Sequence, residues 1–196
     1  LILSVLFVGV LYYFDIMSVS KANEAISAKQ ASHNKLTSRV GGLGSILALL
    51  IGVCLTADQF IFFIALSSIP VLVAGGLEDL GYNIKPVYRL SAGIVSGFIA
   101  IYLTGLWLDN VDFTLLTPIL ALPVIAICFT AFASAGISNS INLIDGVNGL
   151  ASGVLTVIGS ALCIISFSVG DIGLGTFCII LVGSILGFFI WNFPKG

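Results

Sequence analysis

Residues Ile172 to Trp191 read IGLGTFCIILVGSILGFFIW, an apolar run that no charged side chain interrupts. A helix rising 1.5 Å per residue needs about 20 such residues to cross the hydrocarbon core of a bilayer. This run has that length and is apolar on every side, so it offers no polar face to water. Gly170 and Asp171 mark a turn before it, and a second run from Leu150 to Val169 precedes the turn. Five more lie toward the N-terminus: Leu115 to Ile137, Leu90 to Leu108, Phe60 to Leu77, Val40 to Leu55 and Leu1 to Met17. The pattern predicts an all-α fold, a polytopic integral membrane helix bundle of about seven transmembrane helices. Residues 1–196 read as a single transmembrane domain, with no soluble domain, linker or clean repeat.

Composition agrees. Hydrophobic residues make up 59% of the chain and charged residues 8%, with a mean hydropathy of +1.21. A soluble domain carries roughly a quarter charged residues, so this chain has too few to cover itself in water. A net charge of -2 leaves no basic footprint, which argues against a nucleic-acid or polybasic lipid-surface partner. Cys54, Cys128, Cys163 and Cys178 lie in apolar runs with no Cys-x-x-Cys spacing and no neighbouring His, so they read as small buried hydrophobes rather than a disulfide framework or zinc site. Leu1 opens inside an apolar run with no charged leader, which reads as part of a longer chain rather than a secretory signal.

The charges orient the chain. If it crosses at every run, one side receives 18–39, 78–89, 138–149 and 192–196. All seven cations, Lys21, Lys29, Lys35, Arg39, Lys85, Arg89 and Lys195, fall on that side. By the positive-inside rule those segments are cytoplasmic. The glycines within the runs, Gly183-x-x-x-Gly187 among them, suit close helix approach, with packing inside the bundle favoured over a homodimer face.

Three cytoplasmic constellations carry chemistry. Gly75-Gly76-Leu77-Glu78-Asp79-Leu80 closes a run with two adjacent carboxylates, at a helix C-terminus where the macrodipole disfavours them. They are either a solvated pair bound to Lys85 or Arg89, or a cluster that binds a hard cation or takes a proton. Asn139-Ser140-Ile141-Asn142-Leu143-Ile144-Asp145-Gly146-Val147-Asn148-Gly149-Leu150 interleaves amides, a carboxylate and glycines in a membrane-edge loop. It suits a polar ligand and a metal-bound phosphate, the alternative being a helix start capped by Asp145 or Asn148. Ser32-His33-Asn34-Lys35-Leu36-Thr37-Ser38-Arg39-Val40-Gly41-Gly42-Leu43-Gly44 sets cations before a Gly-rich helix start, where phosphate oxygens can be held.

Taken in order, these segments resemble the polyprenyl-phosphate N-acetylhexosamine-1-phosphate transferases, bacterial membrane enzymes that start lipid-linked glycan synthesis. His33 to Gly44 is similar to that family's His-…-Arg-x-Gly-Gly-Leu entry, Gly76 to Asp79 to its Asp-Asp motif, and Asn139 to Leu150 to its Asn-x-x-Asn-x-x-Asp-Gly-x-x-Gly-Leu loop. Glu78 stands where many members have the first Asp, and Asn148 where many have a second loop acid. The family continues past a segment like Trp191 to Gly196 into a Gly-Asp loop that carries its magnesium, so the resemblance is to an N-terminal portion.

The resemblance implies transfer of an N-acetylhexosamine 1-phosphate from a UDP-sugar donor to a polyprenyl phosphate acceptor, releasing UMP, with Mg²⁺ required and Mn²⁺ as an alternative. It implies acceptor deprotonation or metal support by Asp79 with Glu78, and a metal-diphosphate role for Asp145. Asn139 and Asn142 would orient the nucleotide-sugar, and His33, Lys35 and Arg39 would meet phosphate. The enzyme would sit in the bacterial plasma membrane as a multi-pass protein among membrane lipids, its site cytoplasmic. The rival readings are a carrier of polar solutes and an inactive truncated remnant.

Overall fold

A computed structural model of the chain describes residues 1–18, 41–79 and 82–193. Every regular element among them is helical: α1 (Ile2–Ser18), α2 (Gly41–Thr56), α3 (Gln59–Ser67), α4 (Ile69–Asp79), α5 (Pro86–Thr104), α6 (Thr117–Leu120), α7 (Pro123–Ile144), α8 (Leu150–Ser168) and α9 (Ile172–Asn192). In each unit the exposed faces are rich in large apolar side chains, with Ile2 76% and Tyr102 86% exposed, while Ala131 and Ala135 are buried against α5. Small residues at close helix contacts and many large apolar ones on the exposed faces suit helices whose solvent is lipid.

Four helices, α5, α7, α8 and α9, are long and apolar enough to cross a membrane, and α3 with α4 makes a fifth if the bent pair counts as one span. Seven spans are therefore more than the helices themselves establish. With 17 and 16 residues, α1 and α2 are apolar but short; at 1.5 Å per residue the longer reaches about 26 Å.

Two of the predicted runs differ for one physical reason, proline. The run from Phe60 to Leu77 bends by 41° between α3 and α4. Pro70 has no N–H to give the preceding turn, and the Ser67 and Ser68 hydroxyls donate instead to the Ile64 and Ala65 carbonyls at 2.7 Å each. The run from Leu115 to Ile137 is divided by Pro118 and Pro123 into α6 and α7, each with proline in its first turn. As a result α7 starts later and ends later than the hydropathy suggests, at Ile144.

Two acids of the short turns have local work. Asp58 accepts from Ile61 N at 3.1 Å as the N-cap of α3, and Asp171 accepts from Leu174 N at 2.9 Å as the N-cap of α9. The four cysteines are free, with Cys178 buried and Cys54 and Cys128 exposed. The expectation that all four are buried thus holds only for Cys178, Cys163 being half-buried, because an apolar lipid-facing surface accepts a thiol as readily as the interior does.

The chain divides into two compact units, one of Leu1–Leu55 with Asp145–Gly196 and the other of Thr56–Ile144. In the first, α1 packs on α9 through small residues. A Cβ at Gly183 would lie 3.2 Å from the Leu1 nitrogen, and one at Gly187 would collide with Ser4. Ser4 is fully buried and donates to the Ser184 carbonyl at 2.6 Å, and the Ser184 hydroxyl in turn donates to the Ser45 carbonyl of α2. The Gly183-x-x-x-Gly187 spacing therefore serves packing inside the chain. In the second unit, α5 and α7 run antiparallel, Gly93 facing Ala135 and Gly97 facing Ala131.

Candidate functional site

Glu78 stands in the last turn of α4 and Arg89 in the first turn of α5. Each is at the helix end where the macrodipole opposes its charge. They offset this by meeting: Arg89 Nη1 donates to Glu78 Oε1 at 2.9 Å and Oε2 at 2.8 Å. Of the two readings of the acidic pair, an ion pair with Lys85 or Arg89 is formed for Glu78, by Arg89. Its side chains are 38% and 20% exposed, so the guanidinium is the more enclosed partner.

That guanidinium is only partly used. Arg89 Nε is buried without a hydrogen-bond partner, and so is Oδ1 of Asn139 on α7. The α5/α7 register explains their shared level. Gly93 faces Ala135, and one turn further along both helices the same register brings Arg89 opposite Asn139. A buried donor and a buried acceptor, each unfilled, cost stability in an otherwise satisfied protein, and such exceptions call for a ligand, a water or a function.

Asn139 and Asn142 lie in the last turns of α7, so the first half of the expected loop is helix and only 145–149 forms a turn. Asn142 is exposed and Asn139 half-buried. Within the turn, Leu150 N donates to the Val147 carbonyl at 3.0 Å, and Gly149 takes a left-handed φ of 80°. Gly149 is the N-cap of α8 and has no side chain to cap that helix. The Asp145 carboxylate is left exposed at the end of α7, and the protein mass around the turn pushes its pKa up from the ordinary carboxylate value.

His33, Lys35 and Arg39 lie outside the described residues, as does the side chain of Asp79. A cavity of about 550 Å³ lined by Trp107, Asp109, Asn110 and Thr117 sits where α5 ends and α7 begins, at the opposite end of its unit from Arg89 and Asn139. It is no part of this site.

A sequence profile described as glycosyl transferase family 4 matches residues 61–196. The chain belongs to this family. Among curated members, it is 32% identical over 168 residues to a probable undecaprenyl-phosphate N-acetylglucosaminyl 1-phosphate transferase of Bacillus subtilis (strain 168), covering 82% of this chain and 45% of that protein. It is 44% identical over 71 residues to the phospho-N-acetylmuramoyl-pentapeptide-transferase of Staphylococcus carnosus (strain TM300), covering 36% of this chain and 22% of that one. With the phospho-N-acetylmuramoyl-pentapeptide-transferase of Clostridium perfringens (strain 13 / Type A) it shares 36% identity over 102 residues, 52% of this chain and 32% of the relative. The chain thus spans less than half the length of these family 4 relatives. No solved structure is a significant match.

Among the described residues, no three His, Cys, Asp or Glu side chains group as a metal site. A magnesium ion does not need such a cage, because it keeps several waters and takes one or two carboxylates with substrate phosphate. The exposed Asp145 carboxylate, drawn into no capping bond, fits that requirement as a single hard-oxygen ligand. Arg89 is the residue that sequence reasoning undervalued, seeing only a surface partner for the acids. Its place one helical turn before Gly93, in the run that packs closely on α7, was the available signal.

Proposed function

We propose that this protein transfers an N-acetylhexosamine 1-phosphate from a UDP-sugar to a polyprenyl phosphate and releases UMP. The observation that carries the reading is the end of α5 and α7, where a half-enclosed guanidinium and a buried amide oxygen stand at one level with unfilled hydrogen-bonding positions. The names of the family 4 relatives, transferases of phospho-sugars, support the same chemistry.

An oxygen of the acceptor phosphate attacks the sugar-bearing phosphorus of the donor. The bond from that phosphorus to the bridging oxygen breaks, and UMP leaves with the oxygen. Both substrates are anionic, so fixed cations must lower their repulsion before they meet. Arg89 supplies one such cation, held by Glu78. Because both Glu78 oxygens already accept from Arg89, Asp79 is the better base for the acceptor phosphate, with Glu78 as its support. Asn139 and Asn142 orient the nucleotide-sugar from the last turns of α7. His33, Lys35 and Arg39 meet phosphate. Asp145 would hold Mg²⁺, or Mn²⁺ in its place, and the ion would supply Lewis-acid neutralisation of donor phosphate charge.

In this reading residues 1–196 form one transmembrane domain with seven passes in the bacterial plasma membrane. The segments bearing all seven cations face the cytoplasm. A lipid-tailed acceptor explains why the site lies at the membrane edge. A solute carrier would place its ionisable groups near span midpoints, whereas Glu78 and Asp145 stand at helix ends. The test is Asp79→Asn in the full-length protein, where turnover should fall by orders of magnitude while the folded yield holds. Near-normal turnover would remove Asp79 from the chemistry.

A further inference from the structure

At the end of the α8/α9 hairpin away from its connecting turn, two phenylalanines rest on the Gly149 backbone. Phe189 and Phe193 are one helical turn apart at the C-terminus of α9, with Phe193 N donating to the Phe189 carbonyl at 2.9 Å. Their rings stack with centroids 5.3 Å apart and planes 7° from parallel. Phe193 is 54% exposed, so the pair is not explained by burial of its own surface. Beneath the rings lies Gly149, buried and left-handed. A Cβ there would come within 2.9 Å of Phe193 Cδ2 and 3.1 Å of Phe189 Cε2. One turn into α8, a Cβ at Gly153 would be in ordinary contact with Phe189 at 3.7 Å.

Glycine at 149 thus meets two demands at once: a backbone angle that L side chains rarely adopt, and an aromatic surface too close for any side chain. The turn that carries Asp145 ends at this glycine. With the Gly149 end seated, only Gly146, Val147 and Asn148 separate that anchor from Asp145, which limits where the turn presents the carboxylate.

We infer that Phe189 and Phe193 are positioning residues: their stacked rings seat Gly149 on the end of α9 and so fix the Asp145 turn for the transfer reaction. The role assigned to the turn rests on the transferase reading; the seat itself does not. The ring pair touches the turn and not the reacting atoms, so the effect should fall on turnover and on the order of the turn together.

The experiment compares Phe193→Ala, Phe193→Leu and Phe193→Tyr in the full chain. Amide hydrogen exchange is followed at 147–153, and UMP release is normalised to folded protein. Phe193→Ala should exchange about tenfold faster at these amides and lose about tenfold in kcat, with KM for polyprenyl phosphate nearly unchanged. Phe193→Leu keeps an apolar side chain, and so the fold, but lacks the flat face, and should shift both readouts the same way. Phe193→Tyr should restore both. Unchanged protection in the Ala and Leu variants overturns the seat, and lost protection with retained kcat overturns the positioning role. A wild type that releases no UMP counts against the transferase reading alone, and the exchange arm then decides the seat.

Discussion

Replacing Gly97 by Ala and Gly136 by Ala makes the same chemical change in two packed helices, and the structure predicts opposite signs. A Cβ at Gly97 would lie 2.8 Å from both the Ala131 Cα and the Ser134 Oγ of α7. The first neighbour is backbone, so it cannot rotate away, and the separation falls roughly an ångström short of the optimum for carbon pairs. Overpacking of this kind costs about 1–3 kcal/mol. At Gly136 nothing lies within 4 Å of the added carbon. There the substitution trades a flexible residue for a helix former and gains about 0.5–1 kcal/mol. The two variants should therefore differ by about 1.5–4 kcal/mol, a large part of the stability of most proteins. Unfolding of the full-length protein in detergent micelles, followed by helical circular dichroism, measures the difference. Gly97→Ala should also weaken turnover, because parting α5 from α7 moves Arg89 away from Asn139 two turns along. If Gly97→Ala is as stable as Gly136→Ala, the antiparallel α5/α7 register on which the site rests is wrong.

Arg89→Met should lower UMP release by about tenfold or more, the loss that 1.4 kcal/mol of transition-state stabilisation produces, and Arg89→Lys should recover only part, since an ammonium can replace the single Nη1 that serves Glu78 but not the separate Nε–H left free beside it. Normal kcat in Arg89→Met would make the ion pair a surface feature. Asp145 gives a pH signature. Its carboxyl is raised in the fold, so between the ordinary carboxylate value and the raised one the folded chain binds more protons than the unfolded chain, and stability falls as pH rises through that window. Asp145→Asn should flatten this limb and be at least as stable as the wild type at neutral pH, while losing activity. Thermal unfolding from acid to neutral pH with chelator present tests it, and an unchanged limb would contradict the assignment.

The helices were legible because a bilayer leaves few ways to satisfy a backbone, so each apolar run had to be helical. Their ends were less so. Pro70, Pro118 and Pro123 interrupt runs that hydropathy alone joins, and moving α7 toward its C-terminus turned Asn139 and Asn142 from loop residues into helix residues. The carboxylates, amides and glycines of the candidate site stand out against 59% apolar composition, which is why single polar positions could be picked from the chain. What could not be read is juxtaposition. Nothing in the spacing of Arg89 and Asn139, fifty residues apart, shows that they share a level until Gly93 is seen against Ala135. The stacking of Phe189 and Phe193 over Gly149 is equally long-range, linking a turn to a helix end about forty residues away.

The most direct test uses membranes containing the full-length protein, supplied with UDP-N-acetylglucosamine, undecaprenyl phosphate and Mg²⁺, with UMP release followed in the presence and absence of chelator. The account predicts UMP release that requires the lipid phosphate and stops when the metal is removed. No UMP from this or any related UDP-hexosamine, with the protein folded and the lipid present, would contradict it.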